Sequence, residues 1–95
     1  MNPIARFYKK TIENVFTHLN KVAKPGSIVF LGDSITDFFR VNEFFPGAYV
    51  INRGISWDTT DGVLNRLCES VYELSPSKVF LLIGTNDLGD EKPVE

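Results

Sequence analysis

At 95 residues, with 43% apolar and 23% charged side chains, the chain has the length of one small domain and a globular rather than disordered composition. Ten Lys and Arg against twelve Asp and Glu leave a net charge of −2, which argues against non-specific binding to nucleic acid or to an anionic membrane, since both need a basic surface.

Cys68 is the single cysteine, which rules out an internal disulfide and a Cys-rich metal site. His18 is the single histidine, so histidine acid–base catalysis must use that residue or a group from outside the chain. No apolar run reaches the length of a membrane-spanning helix, and the first ten residues lack the apolar centre of a secretory signal. A cytoplasmic location with no membrane span is the expectation. The chain holds no internal repeat or low-complexity tract.

In chain order, Pro3 suits a helix first turn, and Ile4, Tyr8, Ile12, Val15, Leu19 and Val22 recur at steps of three and four. This pattern predicts a helix buried on that stripe, with Lys9, Lys10, Glu13 and Asn20 in water, and stopped by Pro25-Gly26. Ser27–Leu31 reads as a parallel strand buried on both faces, ending at Gly32-Asp33-Ser34, with a helical turn through Ile35–Arg40. Pro46-Gly47 marks a loop before a second strand, Ala48–Asn52, closed by Arg53-Gly54. Asp58 or Thr59 caps a further helix with Val63, Leu64, Leu67, Val71 and Leu74 as its buried stripe, ended by Pro76. Lys78–Ile83 is the clearest strand and runs into Gly84-Thr85-Asn86-Asp87. Pro93-Val94-Glu95 reads as the first turn of another helix. The alternation of helices and strands, with long crossovers, predicts an α/β sandwich with a parallel sheet.

Three polar positions follow three different strands: Ser34, Gly54 and Asn86. In a parallel sheet those exits share one edge, where open α/β sheets bind ligands. A hydroxyl at Ser34, a backbone N–H unshielded by a side chain at Gly54, and an amide at Asn86 together form a nucleophile and an oxyanion hole, provided the first strand lies between the other two. Each element also has an ordinary reading as a turn or a helix cap, and Asp33 is assigned only that role.

The segment Phe30-Leu31-Gly32-Asp33-Ser34-Ile35-Thr36-Asp37 resembles the first signature block of the GDSL, or SGNH, hydrolases, with Ile35 in place of leucine. Asn52-Arg53-Gly54-Ile55-Ser56 resembles the second block and Ile83-Gly84-Thr85-Asn86-Asp87 the third. The similarity spans Ser27 to Gly89 and is nearest the platelet-activating-factor acetylhydrolase-like branch. It implies a three-layer, flavodoxin-like α/β/α sandwich with strand order 2-1-3 for these strands. It also implies hydrolysis of carboxylic esters through an acyl-enzyme on Ser34, with Gly54 and Asn86 stabilising the oxyanion. The implied partner is a small-molecule ester, without metal or organic cofactor and without nucleic acid.

The family's fourth signature, Asp-x-x-His, is not in this sequence, and His18 precedes the serine, opposite to the family order. Residues 1–95 are therefore expected to be the N-terminal part of a single SGNH domain, ending after the third strand and poorly active alone. An open strand edge is expected to lead to self-association or to a partner that covers it. A non-catalytic binding module on the same fold is the alternative. A flavin or nucleotide binder is disfavoured because the Gly-x-Gly-x-x-Gly and Gly-x₄-Gly-Lys-Ser/Thr loops are absent. Arg53 is expected to meet a polar substrate group or a surface carboxylate, Cys68 to fill a small core position, and Phe38, Phe39, Phe44, Phe45 and Trp57 to be packing residues before acyl-pocket residues.

Overall fold

The computed structural model describes residues 2–89. Asn2 opens the first helix, α1 (Pro3–Asn20), its side chain accepting from the Ala5 N–H at 2.8 Å while Pro3 supplies a preset φ. The helix ends at Asn20, several residues before Pro25. Its packed face is not the expected stripe. Ala5 and Phe16 are buried, with Tyr8, Lys9, Ile12 and Asn20 partly so, whereas Ile4, Phe7, Val15, Leu19 and Val22 are exposed. Long-range polar contacts choose this face: Lys9 reaches Asp58, and Asn20 donates to the Glu69 carbonyl and the Glu73 carboxylate.

Three parallel strands, β1 (Ile28–Gly32), β2 (Val50–Gly54) and β3 (Lys78–Leu82), form one sheet in the order β2-β1-β3. The expected order is observed; β1 and β2 lie one and two residues later than the sequence pattern placed them, and β3 ends one residue earlier. On one face Val29 and Leu31 pack with Val63 and Leu74 in the buried core, joined by Ala23, Ile51, Leu67, Val71 and Ile83. On the other, Phe30 stacks on Phe45 and Phe80 at 5.9 and 5.3 Å between centroids and meets Phe39 edge-on. Short helices α2 (Ser34–Asp37) and α3 (Val41–Phe44) follow β1. The structure is thus an α/β fold with helical segments on both faces of a parallel open sheet.

The helix expected from Thr59 to Pro76 is three pieces: α4 (Thr60–Leu64), α5 (Leu67–Ser70) and a 3₁₀ turn at Tyr72–Leu74. Thr59 is its cap, accepting from the Gly62 N–H. The buried positions are Thr59, Val63, Arg66, Ser70 and Leu74, so Leu64 faces out and a charged side chain occupies the middle of the inward row. Cys68 is exposed, with Sγ 3.8 Å from Glu73 Oε2, and is not a core residue.

All five residues of β3 are exposed, although four are large and apolar. After β3, Gly84 at φ +128° lets the chain turn sharply into α6 (Thr85–Gly89), a conformation that L side chains rarely adopt. Asn86 therefore sits on the first turn of a helix rather than in a loop. The helical turn expected at Pro93–Glu95 lies outside the described residues.

Candidate functional site

The register brings the exits of all three strands to one edge, Gly32 pairing with both Gly54 and Leu82. Ser34 opens α2 two residues beyond Gly32. Asp33, buried, caps it by accepting from the Ile35 N–H at 3.1 Å, the ordinary role assigned to it. Among the described residues neither the Ser34 N–H nor its hydroxyl has a hydrogen-bond partner. Both therefore remain available to a ligand at the C-terminal edge of the sheet.

Asn86 comes to the same edge from β3. Its Nδ2 donates to the Asp58 carbonyl at 2.8 Å, which uses one of the two amide hydrogens and fixes the side chain against the loop that follows β2. The next residue, Asp87, holds the N–H and hydroxyl of Thr60 through its carboxylate. No hydrogen bond among the described residues joins Ser34 directly to Asn86.

Gly54 lies at the end of β2, opposite Gly32. Its N–H donates to Asn52 Oδ1 at 2.8 Å, so it is already engaged and is not presented to a carbonyl oxygen. What the glycine provides is clearance: a Cβ here would overlap the backbone of Thr36 and Asp37, because α2 packs directly on the end of β2. Asn52 strengthens that junction, donating through Nδ2 to the carbonyls of Thr36 and Phe39 at 2.7 and 3.0 Å. The Gly54 N–H is thus bonded to Asn52, and the glycine lets β2 pack closely on the serine-bearing helix.

The strand exits are tied together by Arg66, which sequence reasoning missed. Fully buried, it donates from Nε to Asp58 Oδ2 at 2.6 Å, from Nη1 to the Arg53 carbonyl at 2.7 Å and Ser70 Oγ at 2.8 Å, and from Nη2 to the Gly32 carbonyl at 3.0 Å. One guanidinium thus grips the last turns of β1 and β2 and the carboxylate of Asp58. Lys9 from α1 takes the other Asp58 oxygen at 2.9 Å, so the buried carboxylate faces two cations and its own carbonyl holds Asn86. A buried charge is tolerated only with such complete pairing. The legible signal was the spacing 59, 63, 66, 70, 74, which puts Arg66 and Ser70 in the inward row.

A second polar cluster holds α2 from the other side. Asp37 Oδ2 accepts from the Tyr8 hydroxyl at 2.6 Å and from the Ser56 N–H and hydroxyl at 3.0 and 2.8 Å. Burial, reinforced by the hydrogen bond and the negative charge of Asp37, pushes the Tyr8 phenol up to about 12.

Arg53 is not paired with a surface carboxylate among the described residues. It is buried, donates to Asn20 Oδ1 at 2.7 Å and to the Asn52 carbonyl at 3.1 Å, and lies 4.5 Å over the Phe16 ring. Burial lowers its pKa to about 10. His18 is exposed on the outer side of α1, its Nδ1 2.8 Å from the Asn14 carbonyl, as expected of a surface helix residue.

Beside α2 an apolar cavity of about 300 Å³ is lined by Phe30, Ile35, Phe39, Phe80 and Leu82 among others. Among the described residues no group of three His, Cys, Asp or Glu side chains is placed to hold a metal ion, and no helix is long and apolar enough to cross a membrane.

No family model and no curated protein matches the chain. Among solved structures it is similar to one from Streptococcus pneumonia, provisionally described as a platelet activating factor, with 37% identity and a TM-score of 0.80 over 90% of this chain. The chain spans 41% of the length of that structure. The likeness is consistent with the α/β architecture described above.

Proposed function

We propose that the strand exits form the acyl-transfer site of a GDSL-type carboxylic-ester hydrolase. The observation that carries this reading is the pairing of Gly32 with both Gly54 and Leu82, which brings an unpartnered serine and a tethered asparagine amide to one sheet edge. The likeness to a structure provisionally described as a platelet activating factor supports it, as does the resemblance of the three sequence blocks to the family's signatures.

In this reading Ser34 Oγ attacks the ester carbonyl, and negative charge collects on the carbonyl oxygen. The Ser34 N–H and the second N–H of Asn86 are the donors for that oxygen. Collapse of the tetrahedral intermediate breaks the bond to the alcohol, which leaves with a proton, and water then releases the acid from Ser34. A serine hydroxyl is a weak nucleophile unless a base removes its proton. His18 cannot serve from the outer side of α1. In this reading the base is a group outside the described residues, and the chain by itself is expected to turn over 4-nitrophenyl acetate far more slowly than a complete esterase. In this reading the exposed apolar faces of β3 and α1 are a surface for self-association or for a partner.

That no hydrogen bond among the described residues links Ser34 Oγ to a base also favours a second reading, in which the site binds carbonyl or carboxylate groups without cleaving them. Mass spectrometry after treatment with a fluorophosphonate separates the two. The esterase reading requires a single adduct on Ser34 that Ser34→Ala abolishes. An unmodified chain, or an adduct elsewhere, would overturn it.

A further inference from the structure

Among the described residues, two other than glycine have a left-handed backbone: Ser75 at φ +45° and Trp57 at φ +70°. Ser75 caps the 3₁₀ turn at Tyr72–Leu74, a position where left-handed residues commonly end helices. Trp57 has no such explanation. A bulky side chain there is a true outlier, and strain of this kind persists only where the surroundings dictate it.

The surroundings of Trp57 do dictate it, from both sides. Ser56 is fastened by its N–H and its hydroxyl to Asp37, which lies on the helix opened by Ser34 and is itself held by Tyr8. Asp58 is fully buried, fixed by Lys9 and Arg66, and its carbonyl holds the Asn86 amide. The residue before Trp57 is thus bound to the helix of the nucleophile, and the residue after it to the oxyanion amide. The backbone between them has no freedom to relax. Yet the side chain so positioned is not buried: the indole is 49% exposed and touches Tyr8 only edge-on, with ring centroids 5.9 Å apart.

We infer that Trp57 is a substrate-contacting residue, its indole forming the apolar wall between Ser34 and Asn86 against which a flat, apolar acyl or alcohol group of the ester lies. This deepens the acyl-transfer reading and rests on it. A large exposed aromatic held by a strained backbone at the rim of a site offers broad contact area with little ordering left to do on binding.

Trp57 is the only tryptophan of the chain, so its indole N–H gives one NMR resonance that reports on this wall directly. The probe is benzyl methyl ketone, an isostere of phenyl acetate that cannot be hydrolysed. The native chain is expected to show a saturable shift of the indole resonance. In Trp57→Gly, followed through the methyl signal of the ketone, affinity falls about tenfold. The same variant melts no lower than the native chain, because glycine adopts φ +70° without strain. Trp57→Phe keeps a flat ring and binds within about threefold of the native chain. Absence of a saturable shift, native affinity in Trp57→Gly, or a lower melting temperature for that variant would each overturn the inference, the last by showing a packing role. Fluorophosphonate labelling is read separately. An unlabelled Ser34 with a saturable indole shift removes the hydrolase reading and leaves the ligand wall, whereas a labelled Ser34 without a shift does the reverse.

Discussion

The two ends of the central sheet are built on opposite principles. At the strand exits, where the candidate site lies, charged and polar side chains are buried and paired: Arg66 and Asp58 are wholly inside, and Lys9, Asn20, Asn52 and Arg53 complete the network. Along β3 and the outer side of α1, large apolar side chains stand in solvent. One region is polar yet closed, the other apolar yet open. The contrast teaches that local composition does not determine burial. The polar end is closed because the buried Arg66 and Asp58 pair with each other and with backbone and side-chain partners around them, and the apolar flank is open because nothing among the described residues lies over it.

The strongest way to break the contrast is to leave a charge uncompensated at the closed end. Arg66→Met removes four donated hydrogen bonds and leaves Asp58 facing Lys9 alone, and urea unfolding should register a loss of about 3–5 kcal/mol. Stability near the native value would mean that the clamp is dispensable. A smaller loss, about 1.5–3 kcal/mol, is expected for Tyr8→Phe, which takes one hydrogen bond from Asp37. Tyr8 also carries a pH signature. Its folded-state pKa lies above the ordinary 10.0, at about 12. The stability it contributes is therefore complete below pH 10 and lost as pH rises through about 12. Absorbance titration of the folded chain should show a phenolate appearing near the upper value that Tyr8→Phe lacks.

Next in size is Gly54→Ala, about 1–3 kcal/mol, because the methyl overlaps the backbone of α2 and that helix must move. If the loss comes with unchanged reactivity of Ser34, the glycine is a spacer. If Ser34 loses reactivity while stability holds, its N–H has a catalytic task after all. The smallest effect is expected at the open flank: Leu81→Lys should change stability by less than about 0.5 kcal/mol, since the side chain is already exposed. It should, however, lower the average mass in sedimentation toward the 10.7 kDa of one chain, by placing a charge on the uncovered strand. A native chain that sediments as a monomer would show that the flank needs no cover.

The parts of the fold that were legible in the sequence are those set by short-range pattern. Apolar runs such as Lys78–Ile83, bounded by glycine and polar turns, read directly as strands, and Pro3 marks the start of α1. The face of α1 was not legible. Its apolar stripe has the spacing of a buried one, but the side that packs is selected by Lys9 and Asn20 finding partners some fifty residues away. Arg66 was hidden for a similar reason: a charged residue in an amphipathic pattern reads as solvated until its acceptors from β1, β2 and Asp58 are assembled around it. The engagement of the Gly54 N–H was legible in principle, since an asparagine often bonds backbone two residues on, and Asn52 stands at that distance. Of the three proposed site residues, strand-exit position alone brought Ser34 and Asn86 to a common edge, while the chemistry available to Gly54 depended on a side chain that pattern does not weigh.

The most direct test of the central claim, that Ser34 and Asn86 address one carbonyl, is the crystal structure of the chain after phosphonylation. The account predicts a tetrahedral phosphorus on Ser34 Oγ whose free oxygen accepts hydrogen bonds from the Ser34 N–H and from Asn86 Nδ2, with the second hydrogen of Nδ2 still on the Asp58 carbonyl. A phosphonyl oxygen turned away from Asn86, with the amide out of hydrogen-bond reach, would contradict it.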